Sequence, residues 1–347
     1  MLVPLLFVLT ALQVPAPGTV RVTIDSAHHD VVVTAGPYDL PEAMPGMSHS
    51  EMEHMAEAET ELKRFKWPVD GWFRGFALEV HDGNGKSLSR RLLHHMIMID
   101  FDRRQLYYPA YERLMGAGQE TADVMVPASI GVPMHSGMHL GMYLMWHNET
   151  GTDIKGAYLV LRLHYAPKNQ MPRPVDAMPV YMDVNLTVGG DNVFDLPPGV
   201  TEKSHDFVQP IGGHLIAVGG HLHDFGLLVR LTDVRSGKTM VELDAERQPN
   251  GDVTGLPRKL FGVSGSGLRL VAGRTYRVTG KYDNLTHALI KDGAMAHIVG
   301  LFTPDDIRQW PALDINDPGT KADLADLESL GKASGGMRMA PMNHMKD

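Results

Sequence analysis

The chain has 347 residues, 43% hydrophobic and 21% charged, a globular composition with room for about two domains. Its net charge of −9 argues against a nucleic-acid binder, and no apolar run reaches the ~18–20 residues needed to span a bilayer. The absence of cysteine excludes disulfides, thiolate zinc sites, iron–sulfur clusters and a cysteine nucleophile, whereas 22 Met and 18 His supply the soft thioether and imidazole ligands that suit copper.

Residues 1–16 carry no charge, and the apolar stretch from Leu2 to Leu12 reads as the core of a secretory signal within residues 1–18, although the basic leading region is missing. Export implies a secreted or periplasmic protein. Short apolar or alternating runs then predict strands around Val20–Ile24, Val31–Val33, Phe76–Val80, Tyr158–Tyr165, Leu215–Val218, Leu227–Leu231 and Tyr276–Tyr282. Asp82-Gly83-Asn84-Gly85 predicts a hairpin turn, and Leu196-Pro197-Pro198-Gly199 a strand-initiating one. A Gly-, Asp- and Pro-rich stretch near residues 187–198 marks the expected boundary between two domains, 19–188 and 189–308. Helix is scarce: Leu324, Leu327 and Leu330 mark one short amphipathic piece, expected outside the core in a tail covering 309–347. Two segments combine Met with His. One, Met44 to Met55, lies in an insertion near 43–59; the other runs from Met337 to Met345. Each reads either as a copper-loading arm or as a solvated loop or tail.

Four signals carry chemistry. His94-His95 sits in an apolar strand, where neighbours point to opposite faces, so both reach one metal only at a strand end or bulge. His164 shares the more polar face of its strand with Arg162, opposite Leu159, Leu161 and Leu163. His221 and His223 lie two apart, on one side of a strand whose Leu222 faces the core, which is a chelating spacing. Gly219 and Gly220 leave open space beside them, and Asp224 is placed to orient one ring. Met295 shares a face with His297, although a strand Met taken alone is more often core filler.

Taken in order, His94-His95-Met96, the strand ending Leu163-His164-Tyr165, His221-Leu222-His223, the run Lys281–Thr286 and Met295 resemble the copper type II, ascorbate-dependent monooxygenases, the family of peptidylglycine alpha-hydroxylating and dopamine beta-monooxygenases. The likeness covers roughly residues 68–304. It implies an all-β fold of two tandem jelly-roll-like antiparallel β-sandwich domains with an open cleft between them. It also implies two copper ions per chain. His94, His95 and His164 would hold the N-terminal ion and pass electrons. His221, His223 and Met295 would hold the C-terminal ion, where O₂ and a C–H bond of the substrate react, with ascorbate or a similar donor as reductant.

Departures from the family pattern narrow the substrate. The position that holds a peptide carboxylate with arginine is Gly219 here. The residues two and four beyond the methionine are His297 and Val299, and the residue two before the lone histidine is Arg162. Amidation of glycine-extended peptides is therefore not expected, and a small organic substrate is. A copper-binding or copper-storage protein without turnover is the second reading, favoured by the Met/His segments. A zinc hydrolase on His94, His95 and His164 is the third. His139 with Met138 and Met142 could line the cleft. His28, His29, His135, His147, His205, His214 and His287 have no chelating spacing. Asn148, Asn185 and Asn284 each open a glycosylation sequon.

Overall fold

The computed structural model describes residues 19–42, 57–118, 121–148, 150–189, 192–262 and 267–331. The proposed signal and both Met/His-rich runs, 44–55 and 337–345, lie outside the described residues. The chain is all-β. The longer strands of the first half are β1 (Thr19–Asp25), β2 (Asp30–Leu40), β3 (Gly71–His81), β4 (Leu93–Arg104), β5 (Tyr111–Gly118), β6 (Ile130–Met134), β7 (His139–His147) and β8 (Ile154–Pro167). One sheet runs β1-β2-β8-β3-β6, and the facing sheet runs β7-β4-β5, with the short strands Glu57–Glu59 and Lys63–Lys66 paired to β7. Alternation builds the core between them: Leu159, Leu161 and Leu163 from β8 meet Met96 and Met98 from β4.

The second half repeats the architecture with β9 (Met178–Asp183), β10 (Gly199–Val208), β11 (Gly213–Leu222), β12 (Gly226–Asp233), β13 (Lys238–Asp244), β14 (Thr275–Asn284), β15 (Ile290–Ala294) and β16 (Ala296–Pro304). The sheets β9-β16-β11 and β10-β14-β12-β13 enclose a second core that includes Leu222, Val229, Tyr282, Ala296 and Ile298. β9 pairs with β16 along its whole length, so the N-terminal unit ends before Met178 rather than at residue 188. The loop composition near 187–198 marks a connection inside the second unit. The two units touch: Leu106 packs into the second core, and the Tyr107 hydroxyl donates to Gln209 Oε1 at 2.7 Å.

The seven predicted strands all lie within observed ones. The Asp82–Gly85 turn closes a hairpin, with Gly85 at φ +82° as its glycine requires. The C-terminal leucines do not lie outside the fold. They belong to α1 (Pro318–Ser329), which Asp317 caps by accepting the Gly319 amide at 2.7 Å. Leu327 packs with Ile99, Phe101 and Tyr111 on the outer face of β4 and β5. Asp323 clamps the helix there, accepting two bonds from Arg113 at 2.6 and 2.8 Å and one from the Tyr111 amide at 2.9 Å. Among the described residues no helix is long and apolar enough to cross a membrane.

Two of the sequons form matching internal clasps. Asn148 donates to the carbonyls of Leu40 and Thr152, both at 2.9 Å, and its Oδ1 accepts from the Thr150 amide and hydroxyl. Asn284 donates to the carbonyls of Leu196 and Ala288, both at 3.0 Å, and accepts from the Thr286 amide and hydroxyl. Both asparagines are 2% exposed. The Asn-x-Thr pattern is here a turn device satisfied by backbone groups.

Candidate metal centres

The C-terminal candidates come together because β11 and β16 are adjacent antiparallel strands. Their register sets His221 opposite His297 and Leu222 opposite Ala296. Leu222, Ala296 and Ile298 point into the core, which leaves His221, His223, Met295 and His297 half-buried on the other side. The rings of His221 and His223 lie 5.3 Å apart, and His297 stacks on His221 at 5.2 Å. Met295 is the break between β15 and β16, and its carbonyl accepts the His223 amide at 3.3 Å and the Tyr282 hydroxyl. Phe225, in the turn that follows His223, and Asp292, inside β15 just before Met295, hold positive φ of 65° and 50°. Gly220 is not open space: a Cβ there would sit 3.0 Å from Val229 and from the His297 carbonyl. Gly219 is not open either: a Cβ there would fit, but in ordinary contact with the Arg258 and Val299 side chains, both at 3.8 Å. Asp224 Oδ1 accepts the Val253 amide at 2.8 Å, which ties the following loop to this turn.

A polar group behind the site was not signalled by spacing. Asn192 donates to Met295 Sδ at 3.6 Å and to the Tyr181 hydroxyl at 3.1 Å. Tyr181 donates to Asp183 Oδ2 at 2.6 Å, and its oxygen lies 3.4 Å from His297 Nδ1. Burial holds the His297 ring well below the usual imidazole range, reinforced by His221 and His223. Burial also raises Asp183, and it raises Tyr181 well above a normal phenol. Tyr181 sits directly opposite Val299 in the β9–β16 ladder, a long-range pairing that no local motif announces.

The N-terminal candidates are arranged differently. His94 falls at a bulge: His95 pairs with Met145 and Leu93 with Trp146, so the β4–β7 register shifts at His94. Its ring lies 5.0 Å from His95 and 6.3 Å from His147, the last residue of β7. Glu57 pairs with His147 on the other side of β7. His164 belongs to the facing sheet, between Asp30 and Gly75, and its Nδ1 lies 2.6 Å from Asp30 Oδ1. The His94 end of β4 is tied through Trp146 to Tyr38, which pairs with Ala157 at the far end of β8. Seven residues of strand separate Ala157 from His164, roughly 23 Å at about 3.3 Å per residue. The polar-face expectation for His164 agrees with its place, but the structure does not bring it to His94 and His95, which also leaves the zinc-hydrolase reading without its three-ligand geometry. Among the described residues no three His, Asp or Glu side chains surround one point as the rings stand. Met138 and Met142 are core residues rather than a cleft lining, and His139 pairs on the surface with Asp102 at 3.0 Å.

No family model matches the chain, and no curated protein matches it. Among solved structures it is similar to the major capsid protein P2 of bacteriophage PM2, at 12% identity over 78% of this chain and 98% of that one, with a TM-score of 0.36. The STIV MCP is 10% identical over 81% of this chain and 99% of that chain, with a TM-score of 0.38. PNGF-II is 9% identical over 80% of this chain and 65% of that one, with a TM-score of 0.37.

Proposed function

We propose that the chain is an exported copper-dependent monooxygenase that hydroxylates a C–H bond of a small organic substrate, using O₂ and an ascorbate-like reductant. The observation that carries this reading is that His221, His223 and Met295 lie close together and half-buried where the end of β11 meets the break before β16. Two imidazoles and a thioether, without thiolate, are a donor set for copper that favours Cu(I). Bound there, copper would supply the one-electron and O₂ chemistry that side chains lack.

The chain's own residues hold this donor set in place. The His223 amide and the Tyr282 hydroxyl pin the Met295 backbone, and Asn192 orients its sulfur. His297, kept neutral by burial, stacks on His221 without adding a positive charge beside it. The Tyr181–Asp183 pair fixes His297 from behind.

The test is copper reconstitution followed by ascorbate-driven O₂ uptake with candidate substrates, together with X-ray absorption of the reduced protein. Substrate-dependent uptake and a sulfur neighbour to copper are expected. Copper binding without uptake on any substrate favours the storage reading, for which the Met/His-rich segments speak. Absence of copper binding overturns both.

A further inference from the structure

We infer that the first unit supplies a positioning residue to the C-terminal centre: Tyr108, acting through Asp183 and Tyr181, holds His297 and Met295 in place from across the unit boundary. The inference rests on the copper reading of that centre for its copper measurements, and it deepens that reading with a residue of the other unit.

The loop that bears Tyr108 is the first argument. It joins β4 to β5 over residues 105–110, and it is fixed before it meets the second unit. The Gln105 amide donates to the Ala110 carbonyl at 2.9 Å, Trp310 Nε1 donates to the Arg104 carbonyl at 2.9 Å, and the Thr320 hydroxyl donates to the Pro109 carbonyl at 3.3 Å. Between these ties Leu106 enters the second core, and Tyr108 is 7% exposed. A side chain locked in this way can impose a position on what it touches.

What Tyr108 touches is the second. The Asp183 amide donates to its hydroxyl at 3.1 Å, and its ring meets that of Tyr181 edge-on, with centroids 6.3 Å apart. Asp183 ends β9 and sits opposite His297. From there the contacts run on. The Tyr181 hydroxyl donates to Asp183 Oδ2 at 2.6 Å and lies 3.4 Å from His297 Nδ1. Asn192 donates both to that hydroxyl, at 3.1 Å, and to Met295 Sδ, at 3.6 Å. The ring stacked on His221 and the sulfur are thus tied to one phenol, and Tyr108 backs that phenol from the first unit.

Tyr107 supplies the contrast. It is the same residue type in the same loop, and it also bonds across the boundary, to Gln209 Oε1 at 2.7 Å, with its ring 5.0 Å from Phe207. Gln209 in turn donates to the Ile211 carbonyl at 2.7 Å. These contacts join the units but lead to the connection between β10 and β11, not to His297 or Met295.

The experiment compares Tyr108→Phe with Tyr107→Phe in the full chain. Each loses one hydroxyl bond across the same boundary, and circular dichroism confirms folding. In the metal-free protein Tyr108→Phe should shift the His297 ring resonances in the NMR spectrum, and Tyr107→Phe should leave them in place. Loaded with copper under reducing conditions, Tyr108→Phe should lower the Cu(I) affinity of the sulfur-bearing centre about 10-fold and weaken the copper–sulfur signal in X-ray absorption, with Tyr107→Phe close to wild type. Equal effects of the two variants, or none from Tyr108→Phe, overturn the inference. A wild type that binds no copper at this centre overturns the copper reading, and the His297 resonances still decide on Tyr108. Amide exchange in metal-free wild type gives a reading without any variant: slow exchange at Asp183 is expected, and exchange at the rate of a free chain overturns the inference.

Discussion

The two halves share a sandwich and an Asn-x-Thr clasp, yet they treat their histidines differently. In the second half the chelating pair straddles the end of β11 and the methionine sits at the break before β16, so the pairing of these two adjacent strands brings them together. In the first half the paired histidines and His164 lie in different sheets, with the Leu and Met core between them. Motif order along a chain therefore fixes donor types better than it fixes which donors meet. Sheet membership decides the second question.

The strongest way to break this comparison is to remove the thioether. Met295→Ala should lower substrate-dependent O₂ uptake by more than about 100-fold, beyond the 10–100-fold typical of outer partners, and copper should fall from two ions to one. Asn192→Ala, which removes only the contact to the sulfur, should cost on the order of 10-fold in uptake or copper affinity. Equal losses in the two variants would mean that Met295 is no closer to the chemistry than Asn192 is.

A second asymmetry is mechanical. The ion pair that braces α1 goes to the first half, Asp323 to Arg113, with Asp323 3% exposed, while Ala322 of the same helix packs against Gly189 of the second unit. Asp323→Ala leaves Arg113 facing a vacated buried partner and should cost about 3–5 kcal/mol. Thermal unfolding should show the loss in the N-terminal unit, with C-terminal copper retained. Loss of the C-terminal ion instead would mean that the two units unfold as one. The clasps sharpen the likeness between the halves. Asn148→Ala and Asn284→Ala each strand several buried backbone groups, and each should cost about 2–4 kcal/mol in denaturant unfolding. Expression in a glycosylating host should leave both asparagines unmodified, because each amide nitrogen is already bonded inside the fold.

Much of this was legible in the sequence because it is local. Alternation placed Leu159, Leu161 and Leu163 in the core and His164 on the opposite face, and the i, i+2 spacing placed His221 and His223 on one side of Leu222. The need for a bulge at His94-His95 also followed from alternation. What was not legible is long-range. Tyr181 reaches His297 only because β9 crosses to pair with β16. His147 approaches His94 only through the ladder between β7 and β4. The helix leucines dock on β4 and β5 from over 200 residues away, and their spacing alone does not reveal the partner face.

A last difference separates the halves by pH. Inside the first unit Glu112 is 1% exposed, and burial pushes its carboxyl up to about 8, with Arg103 at 3.7 Å opposing that shift and Asp100 adding to it. A carboxyl whose folded-state pKa lies above its unfolded value keeps its proton in the native chain while the unfolded chain releases it. Stability is therefore lost as pH rises between the unfolded value of 4.5 and the folded value of about 8, at up to about 1.4 kcal/mol per pH unit. Glu112→Gln keeps the shape and removes the titration, so its midpoint in urea should match wild type near pH 5 and exceed it near pH 8. The variant should change the transition of the first unit and leave C-terminal copper affinity untouched. A midpoint difference that is flat across this range would show that Glu112 is ionised in the folded protein, held by Arg103 strongly enough to overcome its burial.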